Sequence, residues 1–366
     1  MRIGLITNMM DGQNAGIGRY TENLVKNLLL IDKENKYYLI HSNKKSYRFK
    51  GNYQEIRLPF FDSIPKKLIM GTFLFEKICR DYKLDILHDL GQISPFFFKS
   101  KTKKILTIFD LSVYKYPKIF TLLTHTYSKL LPLVVKKVEK IITISKASKK
   151  DIVKYLKVNP SKVKVSYLGV EKQFKPINNQ TRLQRVKKKY QLPNKYILFV
   201  GTIEPRKNLT SLIKNDTLKN NHLVIVGKKG WLSDDIYKLP GKLGIKNKIK
   251  FIGEVIDENL PAIYNQAQVL VYPSIYEGFG LPVLEAMACG CPVVTSNISS
   301  LPEVSGKAAI LVNPQNEIEI SKSIEDILTQ PFFRQNLIKK GFLQAKKFSW
   351  EKCAKETLKT YQEVKR

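Results

Sequence analysis

The sequence predicts an α/β protein built from two doubly wound parallel sheets, and three observations lead to that class. Short apolar runs alternate with longer helical patterns along all 366 residues, which is typical of parallel strands joined by crossover helices. This length exceeds what a single hydrophobic core serves well, so two domains are expected. A hydrophobic content of 43% with 26% charged residues is that of a globular protein rather than a disordered one.

Each half of the sequence is expected to supply six strands, each a short apolar run followed by a helical pattern. The first six are Ile3–Thr7, Tyr37–His41, Ile86–His88, Lys104–Phe109, Lys140–Ser145 and Val163–Tyr167. The second six are Tyr196–Val200, His222–Val226, Ile249–Ile252, Val269–Tyr272, Pro292–Ser296 and Ala308–Val312. Ligands of such sheets bind outside the carboxyl ends of the strands, so candidate site residues are sought there.

The domain boundaries follow from the same patterns. Residues 1–172 are expected to form the first domain and residues 191–347 the second. Residues 173–190, which are rich in Asn and contain Pro176, are interpreted as a linker. Residues 348–366 form an amphipathic helical pattern, with Ser349 as its expected N-cap.

A formal net charge of +32 is the most unusual feature of the composition. Residues 1–172 hold 33 Lys and Arg against 14 Asp and Glu, a net charge of +19. Such a field favours polyanions, either nucleic acid or an anionic membrane surface. A Lys-rich composition without a binding role explains the charge equally well. Nucleic-acid binding ranks last, because no basic motif interleaved with aromatic residues is present.

Cysteine content and hydropathy bear on the compartment. The four cysteines are too few and too scattered for a disulfide framework, and Cys289-Gly-Cys291 lacks a second pair or a nearby His to complete a metal site. No apolar run approaches the length that spans a bilayer, and the apolar stretch of Met1–Thr7 is too short for a signal peptide. We therefore expect a cytoplasmic protein with free thiols.

The most informative segment runs from Glu277 to Glu285, where two acids bracket a Gly-rich turn that opens into a helix. Gly278 and Gly280 let backbone N–H groups approach a ligand, and Pro282 suits the first helical turn. Carboxylates accept hydrogen bonds from sugar hydroxyls, and a helix N-terminus attracts phosphate. The pattern predicts a site for a phosphorylated sugar, although a solvent-exposed loop–helix junction would also fit it.

A second candidate segment, Val200–Asn208, lies just past the first strand of the second half and contains Arg206 and Lys207. Two adjacent cations at the carboxyl end of a strand suit a departing diphosphate, which gains negative charge as its bond to a sugar breaks. In a Lys-rich chain such a pair is often solvent-exposed and has no binding role. Its position on the sheet edge expected to face Glu277 and Glu285 favours the functional interpretation.

Three weaker signals lie in the first half. The glycine loop Gly16–Tyr20 follows the first strand, but Thr21 stands where a dinucleotide fingerprint needs Gly, so a loop that touches a ligand is expected instead. His88 lies at the end of an expected strand, as do Asp89 and Asp110. A lone His in such a position is more often structural than catalytic. Leu122–Ile142, with interspersed Lys residues, fits a helix buried against the sheet better than a membrane-surface helix.

Taken together, these motifs resemble those of the retaining glycosyltransferases of family 4, in the branch that contains bacterial polysaccharide mannosyltransferases. The resemblance covers nearly the whole chain. The matching segments are Gly16–Tyr20, Ile141–Ser145, Val200–Leu209, Val224–Trp231, Glu277–Glu285 and Ser299–Glu303. It implies the GT-B architecture, in which two Rossmann-like domains face across a cleft, and a final helix that packs back on the first domain.

The resemblance also implies roles for individual residues. Glu277 binds hydroxyls of the donor sugar, and Arg206 and Lys207 bind the diphosphate and stabilise it as the leaving group. Glu285 holds the nucleotide ribose. Further contacts to the donor come from Gly16, Gly278, Phe279, Gly280 and Leu281, and contacts to the base come from Gly253, Glu254 and Val255. No metal and no cofactor other than the nucleotide-sugar substrate are implied.

One position departs from the family pattern. Relatives carry His beside the sugar C6 side where this chain has Phe109. An apolar ring leaves a sugar 6-hydroxyl unpaired, so Phe109 is expected to slow transfer or to favour a 6-deoxy or pentose donor. The leaving phosphate itself takes the acceptor's proton in the family's route, so the change does not by itself exclude activity.

The sequence thus predicts a glycosyltransferase that moves a hexose with retention to a glycan or lipid-linked acceptor in surface glycan synthesis. GDP-mannose is the leading donor because the resemblance points to mannosyltransferases. An association with the inner face of an anionic membrane is expected from the basic first half. The alternative is a catalytically weak or silent protein that binds nucleotide sugars or glycans, motivated by Phe109.

Overall fold

A computed structural model describes residues 1–11, 16–42, 46–58, 64–92, 94–120 and 122–365, with the backbone alone for 64–69 and 122–123. The chain folds into two compact units. Unit 1 comprises Met1–Gly169 together with Ser349–Arg366, and unit 2 comprises Val170–Phe348. The described part of the chain contains no helix long and apolar enough to cross a membrane.

The described residues of unit 1 form a parallel sheet of seven strands with helices around it. The strands are β1 (Arg2–Ile6), β2 (Lys36–His41), β3 (Tyr53–Arg57), β4 (Ile86–Asp89), β5 (Lys103–Ile108), β6 (Lys140–Thr143) and β7 (Val163–Val165). The helices are α1 (Gly16–Ile31), α2 (Ile64–Asp81), α3 (Ser112–Lys115), α4 (Leu122–Ser128), α5 (Leu131–Lys136) and α6 (Lys146–Leu156). The strand order is β3-β2-β1-β4-β5-β6-β7, so the winding direction reverses between β1 and β4.

Strand β3 was not expected from the sequence. Its residues Tyr-Gln-Glu-Ile-Arg contain a single buried side chain, that of Ile56. As the edge strand, β3 pairs only with β2. One face of such a strand can remain polar, and the apolar run that marks a central strand is therefore missing. The other expected strands of unit 1 are present, with ends that differ by one or two residues.

Unit 2 repeats the doubly wound design. Its strands are β8 (Tyr196–Val200), β9 (His222–Val226), β10 (Ile249–Gly253), β11 (Val269–Tyr272), β12 (Val293–Ser296) and β13 (Ile310–Val312), in the order β10-β9-β8-β11-β12-β13. Its helices are α7 (Gln180–Tyr190), α8 (Leu209–Ile213), α9 (Asp234–Lys242), α10 (Leu260–Gln266), α11 (Leu281–Ala288), α12 (Leu301–Ser305), α13 (Glu317–Thr329) and α14 (Pro331–Ala345). The winding reverses between β8 and β11, which makes their carboxyl ends the expected ligand site.

The segment 173–190, interpreted above as a linker, is largely a helix instead. Asn179 caps α7 by accepting a hydrogen bond from the backbone N–H of Arg182 at 2.9 Å. Leu183 and Val186 are buried, and the helix packs against α10. One of the Asn residues that suggested a loop, Asn179, is thus the N-cap of this helix. The boundary between the two units lies earlier in the sequence, between Gly169 and Val170.

The last helix, α15 (Trp350–Lys365), belongs to unit 1 although it follows unit 2 in the chain. It packs along α1 and buries Cys353 and Tyr361. Ser166 donates a hydrogen bond to the Cys353 carbonyl at 3.0 Å. At Gly169 a Cβ atom would lie 2.1 Å from the backbone nitrogen of Trp350, the first residue of α15. Only glycine therefore fits where the backbone passes this close to the start of the helix.

The segment Leu122–Ile142 is not one helix. It divides into α4, α5 and the start of β6. Leu131, Val134 and Val135 of α5 lie in the hydrophobic core of unit 1. Burial in the core therefore explains these three residues of α5, whereas Leu133 is 53% exposed. The segment does not form one continuous helix that could lie on a membrane surface.

Candidate active site

The carboxyl ends of β8 and β11 bring Arg206, Lys207 and Glu277 together. The Lys207 Nζ donates a hydrogen bond to the Glu277 Oε1 at 2.6 Å. The Arg206 guanidinium lies 3.5 Å from the other carboxylate oxygen, Oε2. The Tyr272 hydroxyl, at the end of β11, completes the cluster because it donates to Glu277 Oε1 at 2.9 Å and accepts from Lys207 Nζ at 2.6 Å.

Burial and charge set the protonation states in this cluster. Burial alone would raise the pKa of Glu277, but the positive charges of Lys207 and Arg206 outweigh it and lower the pKa to about 2. Burial also lowers the pKa of Lys207, against the attraction of Glu277. Glu277 is therefore a carboxylate at neutral pH. It can accept hydrogen bonds from hydroxyl groups, but it cannot act as a proton donor there.

Arg206 has a second carboxylate partner. Its Nε and NH2 atoms contact Glu204 Oε1 at 3.0 and 2.8 Å, and Glu204 is almost fully buried. Arg206 NH1 also donates to the Tyr276 carbonyl at 3.2 Å. The Arg206 side chain nevertheless remains 16% exposed, whereas that of Lys207 is 9% exposed. Of these two cations, Arg206 is the one more accessible to an incoming anion.

The loop that carries Glu277 is held by side chains from the end of β12. Ser299 Oγ accepts from the Glu277 N–H at 2.9 Å and donates to its carbonyl at 2.5 Å. Ser300 Oγ lies 2.9 Å from the carbonyls of both Glu277 and Phe279. At the other side, the Ile275 N–H donates to the Arg206 carbonyl at 2.9 Å, which ties this loop to the cation loop.

Gly280 is the residue at which the loop turns into α11. Its φ of +105° is unfavourable for other residues, and a Cβ there would lie 2.7 Å from Leu301 Cδ2. Leu281 begins the helix, and Pro282 stands in its first turn. The expected loop–helix junction is thus present, and its N-terminal end adjoins Gly278 and Phe279.

Glu285 is attached to a different part of unit 2. It lies within α11 and is almost fully buried, and its Oε2 accepts a hydrogen bond from the Tyr264 hydroxyl of α10 at 2.9 Å. Glu277 itself lies in the loop before α11, so the two acids are held by different partners.

The third expected contact region, Gly253 to Val255, follows the edge strand β10. The Gly253 carbonyl accepts from the Gly227 N–H at 2.8 Å, and the Glu254 side chain is exposed. Neighbouring strands lie about 4.8 Å apart, so the ends of β10 and β11 are separated by about 14 Å. A nucleotide sugar has the length to extend between them along the carboxyl edge.

In unit 1, Gly16 is the first residue of α1, and residues 12–15 before it lie outside the described part. Phe109 follows β5 and is 7% exposed. Its ring meets Tyr20 edge-on at a centroid distance of 5.0 Å, and its carbonyl accepts a hydrogen bond from Ser148 at 2.8 Å. Asp110 accepts from the backbone and the hydroxyl of Ser112, which positions the start of α3.

His88 is a structural residue. It is fully buried, its Nδ1 lies 2.7 Å from the Tyr361 hydroxyl of α15, and its Nε2 lies 2.9 Å from the Thr107 hydroxyl. Thr107 in turn lies 3.1 Å from the Tyr20 hydroxyl. Burial lowers the pKa of His88 to about 3. A neutral His88 therefore joins β4, β5, α1 and the last helix in one buried network.

Replacing His88 by Phe is expected to destabilise the protein by about 2–4 kcal/mol, because it leaves the buried Tyr361 hydroxyl unpaired and removes one of the two hydrogen-bond partners of the Thr107 hydroxyl. The pH dependence should also change. Between pH 6.5 and 3 the unfolded chain binds a proton at His88 that the folded chain does not, so wild-type stability falls on acidification by up to about 1.4 kcal/mol per pH unit. The variant lacks this contribution.

Urea midpoints at pH 7 and pH 5 measure both effects, with His125→Gln as a control, because His125 is only partly buried. An unchanged midpoint in His88→Phe at pH 7 would contradict the structural role.

The sequence did not single out Tyr272, Glu204, Ser300 or Tyr264 as site residues. Tyr272 ends an apolar strand, where an aromatic residue is ordinary, and nothing local distinguishes it. The segment Ser299–Glu303 was noted only for its resemblance to relatives. Within the described residues no three His, Cys, Asp or Glu side chains form a group that could hold a metal ion. All four cysteines are buried as free thiols.

The two units are each a doubly wound parallel sheet, and the second carries a buried carboxylate–cation cluster at its switch point. A family model described as "Glycosyl transferases group 1" matches residues 180–344. O-antigen chain mannosyltransferase B of Escherichia coli is 31% identical over an alignment of 384 residues that covers 99% of both chains. The chain therefore belongs to the group 1 glycosyl transferases, and it is a glycosyltransferase of GT-B architecture.

Two further similarities agree with this assignment. The serotype-specific mannosyltransferase WbdA of Escherichia coli is 33% identical over 225 residues, which cover 59% of this chain and 28% of that longer protein. Among solved structures, sucrose-phosphate synthase from Thermosynechococcus elongatus superposes with a TM-score of 0.80 at 21% identity. That superposition covers 99% of this chain and 98% of the synthase, and it shows the fold.

Proposed function

We propose that this enzyme transfers mannose from GDP-mannose, with retention, to a glycan or lipid-linked acceptor in surface polysaccharide synthesis. The observation that carries the proposal is the cluster of Glu277, Lys207 and Arg206 at the switch point of unit 2. Relatives named as an O-antigen chain mannosyltransferase and a serotype-specific mannosyltransferase support the choice of sugar and pathway type. The same names do not favour the alternative of a catalytically silent binder.

In this proposal unit 2 binds the donor. The diphosphate contacts Arg206 and Lys207, whose charges stabilise it as the bond to the sugar breaks. The N-terminal end of α11, from Gly278 to Leu281, adds backbone donors and a favourable helix dipole. The two cations supply the positive charge that a metal ion would otherwise provide, so we propose that no metal is required.

The remaining donor contacts extend along the same sheet edge. Glu277, held as a carboxylate, accepts hydrogen bonds from hydroxyls of the transferred sugar. Glu285 binds the ribose, and Gly253 to Val255 contact the base. Gly16, at the start of α1, contributes a backbone N–H to the donor. The leaving phosphate takes the proton of the acceptor hydroxyl, since Glu277 with a pKa of about 2 is unsuited to proton transfer at neutral pH.

The acceptor and the location follow from unit 1. The first 172 residues, which include most of this unit, carry a net charge of +19. We propose that this charge brings the enzyme to an anionic cytoplasmic membrane face, where a lipid-linked glycan is presented. Binding should then weaken as salt is raised, because the attraction is electrostatic.

The donor proposal is tested by thermal shift with GDP, UDP, ADP and dTDP sugars, followed by transfer assays with and without EDTA. Binding to the folded state raises the unfolding midpoint by mass action. We expect a rise with GDP-mannose that is lost in Glu285→Ala, and transfer that EDTA leaves unchanged. A rise only with another nucleotide would overturn the donor, and loss of transfer in EDTA would overturn the metal-free route.

Phe109 offers a specificity test. Replacing it by His provides a polar partner on the side where relatives place the sugar C6, so the preference for a donor with a 6-hydroxyl over its 6-deoxy analogue should rise by about tenfold. The ratio of kcat/KM for GDP-mannose and GDP-rhamnose in both proteins measures this change. Phe109→Leu serves as the apolar control. An unchanged ratio in Phe109→His would remove Phe109 from the specificity site.

A further inference from the structure

The hydroxyl of Tyr272 lies between two charged groups to which the proposed function assigns roles, but it has no role of its own there. It accepts a hydrogen bond from Lys207 Nζ at 2.6 Å and donates one to Glu277 Oε1 at 2.9 Å. Lys207 Nζ also donates to Glu277 Oε1 at 2.6 Å, so the three groups form a closed triangle. Burial raises the pKa of Tyr272 well above its ordinary value, so the hydroxyl keeps the proton that it donates.

Of these three residues, Tyr272 is the one that belongs to a strand. It ends β11 and pairs with Thr295 of β12. Its ring is 1% exposed and stacks on Phe199 of β8 at a centroid distance of 5.9 Å. Lys207 ends a short 3₁₀ turn, and Glu277 lies in the loop before α11. Tyr272 is therefore the fixed point to which the two charged side chains are attached, since strands hold a side chain more precisely than loops do.

The two hydrogen bonds of Lys207 restrict its ammonium group. An ammonium has three N–H donors, and Tyr272 and Glu277 accept from two of them. Within the described part of the chain the third N–H has no acceptor. Its direction is set by the other two, because the bonds to nitrogen keep tetrahedral angles. The Lys207 side chain is 9% exposed, so it is not sealed from an anion that could accept from this N–H.

The hydroxyl and the ring of Tyr272 make separate contacts with Lys207. Lys207 Nζ lies 5.0 Å from the centroid of the ring, a contact that a phenylalanine would keep. Tyr272→Phe therefore removes the hydroxyl alone. Without that acceptor the ammonium can rotate about its bond to the side chain, and its N–H groups are no longer held in one arrangement.

From this arrangement we infer that Tyr272 is a positioning residue, which locks the Lys207 ammonium with one N–H kept for the diphosphate of the donor. The inference rests on the proposed function, in which the diphosphate contacts Lys207. The diphosphate gains negative charge as its bond to the sugar breaks, and an oriented N–H then gains strength. Tyr272 therefore contributes more to stabilising the leaving group than to binding the intact donor.

Calorimetric titration of the full-length protein with GDP and with GDP-mannose tests this role without requiring turnover. GDP carries an additional negative charge on its terminal phosphate, so it resembles the leaving group more closely than the donor does. Tyr272→Phe should weaken the binding of GDP about tenfold and that of GDP-mannose by no more than about threefold. Equal weakening of both ligands, or of neither, would overturn the inference.

Transfer kinetics supply a second signature. In Tyr272→Phe the kcat should fall about tenfold while the KM for the donor changes by less than about threefold, because the lost interaction acts chiefly in the transition state. A variant that raises KM at unchanged kcat would contradict a role in stabilising the leaving group.

Two further variants separate positioning from a merely structural effect. Tyr196→Phe removes another buried hydroxyl of unit 2, which donates to the Ile263 carbonyl at 2.7 Å, and should leave GDP affinity unchanged although it also costs stability. Lys207→Met removes the ammonium itself. In that background Tyr272→Phe should change GDP affinity by less than about twofold, and a loss as large as in the wild-type background would show that the hydroxyl does not act through Lys207.

The outcome is separable from the donor proposal. If the wild type binds no nucleoside diphosphate, the proposed function fails and this inference fails with it. If it binds UDP and a UDP sugar instead, only the donor is wrong, and the same comparison is made with that pair, because the inference concerns the diphosphate and not the base. Normal GDP and GDP-mannose binding by the wild type, matched by Tyr272→Phe, refutes the inference alone.

Discussion

Replacing Glu277 by Gln is expected to lower kcat/KM for transfer by about 10²- to 10³-fold. The amide keeps the size of the side chain but removes the charge that pairs with Lys207 Nζ at 2.6 Å and faces Arg206 at 3.5 Å. The transferred sugar loses a carboxylate acceptor, and Lys207 loses its carboxylate partner, while Arg206 keeps Glu204. Initial rates with GDP-mannose measure the loss, and Glu258→Gln, an exposed carboxylate in the same unit, serves as the control.

The same variant should also change stability and its dependence on pH. Lys207 is left as a buried cation, which costs about 3–5 kcal/mol at neutral pH. The folded-state pKa of Glu277 is depressed from 4.5 to about 2, so its stabilising contribution is present above pH 4.5 and is lost as the pH falls toward 2. Glu277→Gln should lack this acid-dependent loss.

Urea midpoints at pH 7, 4.5 and 3 test the second effect. Wild type and variant should converge as the pH falls, because protonation removes from the wild type the charge that the variant already lacks. A constant difference across this range would show that Glu277 is not the titrating group. Full transfer activity in the variant would refute the role of Glu277 in the site.

Replacing Arg206 by Ala is expected to lower kcat/KM by about 10²-fold, because the diphosphate loses its more exposed cation. Arg206→Lys should recover only part of the loss, since an ammonium group cannot reproduce the planar fork that contacts Glu204 and a phosphate together. Lys219→Ala, which removes an exposed cation paired with Asp216, should leave transfer unchanged.

Stability must be measured beside activity for Arg206→Ala, because Glu204 is buried and loses its partner. The double variant Arg206→Ala/Glu204→Ala removes that unpaired carboxylate. If the double variant regains both stability and transfer, Arg206 acts only as the partner of Glu204. If it regains stability while transfer stays low, Arg206 acts on the donor.

Much of the fold could be predicted because most strands are buried on both faces. Runs such as Tyr196–Val200 and Val269–Tyr272 are continuous apolar segments, and their bounds agree with the structure. Strand β3 escaped notice because an edge strand needs little apolar surface. The helix at Gln180–Tyr190 was missed because Asn179 serves as a cap, while the same residue type is common in loops.

The candidate site was predictable in part. Arg206, Lys207 and Glu277 each follow a strand of unit 2, and the carboxyl ends of adjacent parallel strands meet at one edge. Tyr272 carries no comparable signal, because its hydroxyl meets Lys207 and Glu277 only once the strands are paired. For His88 the sequence signal was misleading, because a His at a strand end can be catalytic. In the structure it is a buried structural residue that hydrogen-bonds to Tyr361, 273 residues away in the chain.

The sequence by itself determined the class of fold, the glycosyltransferase family and the segments that carry the candidate site, because periodicity and short motifs are local properties. Tertiary structure alone decided which side chains are neighbours. It placed α15 in unit 1 and gave Glu277 its low pKa through two cations. These features depend on contacts between residues far apart in the chain, and packing and desolvation give such contacts their energy.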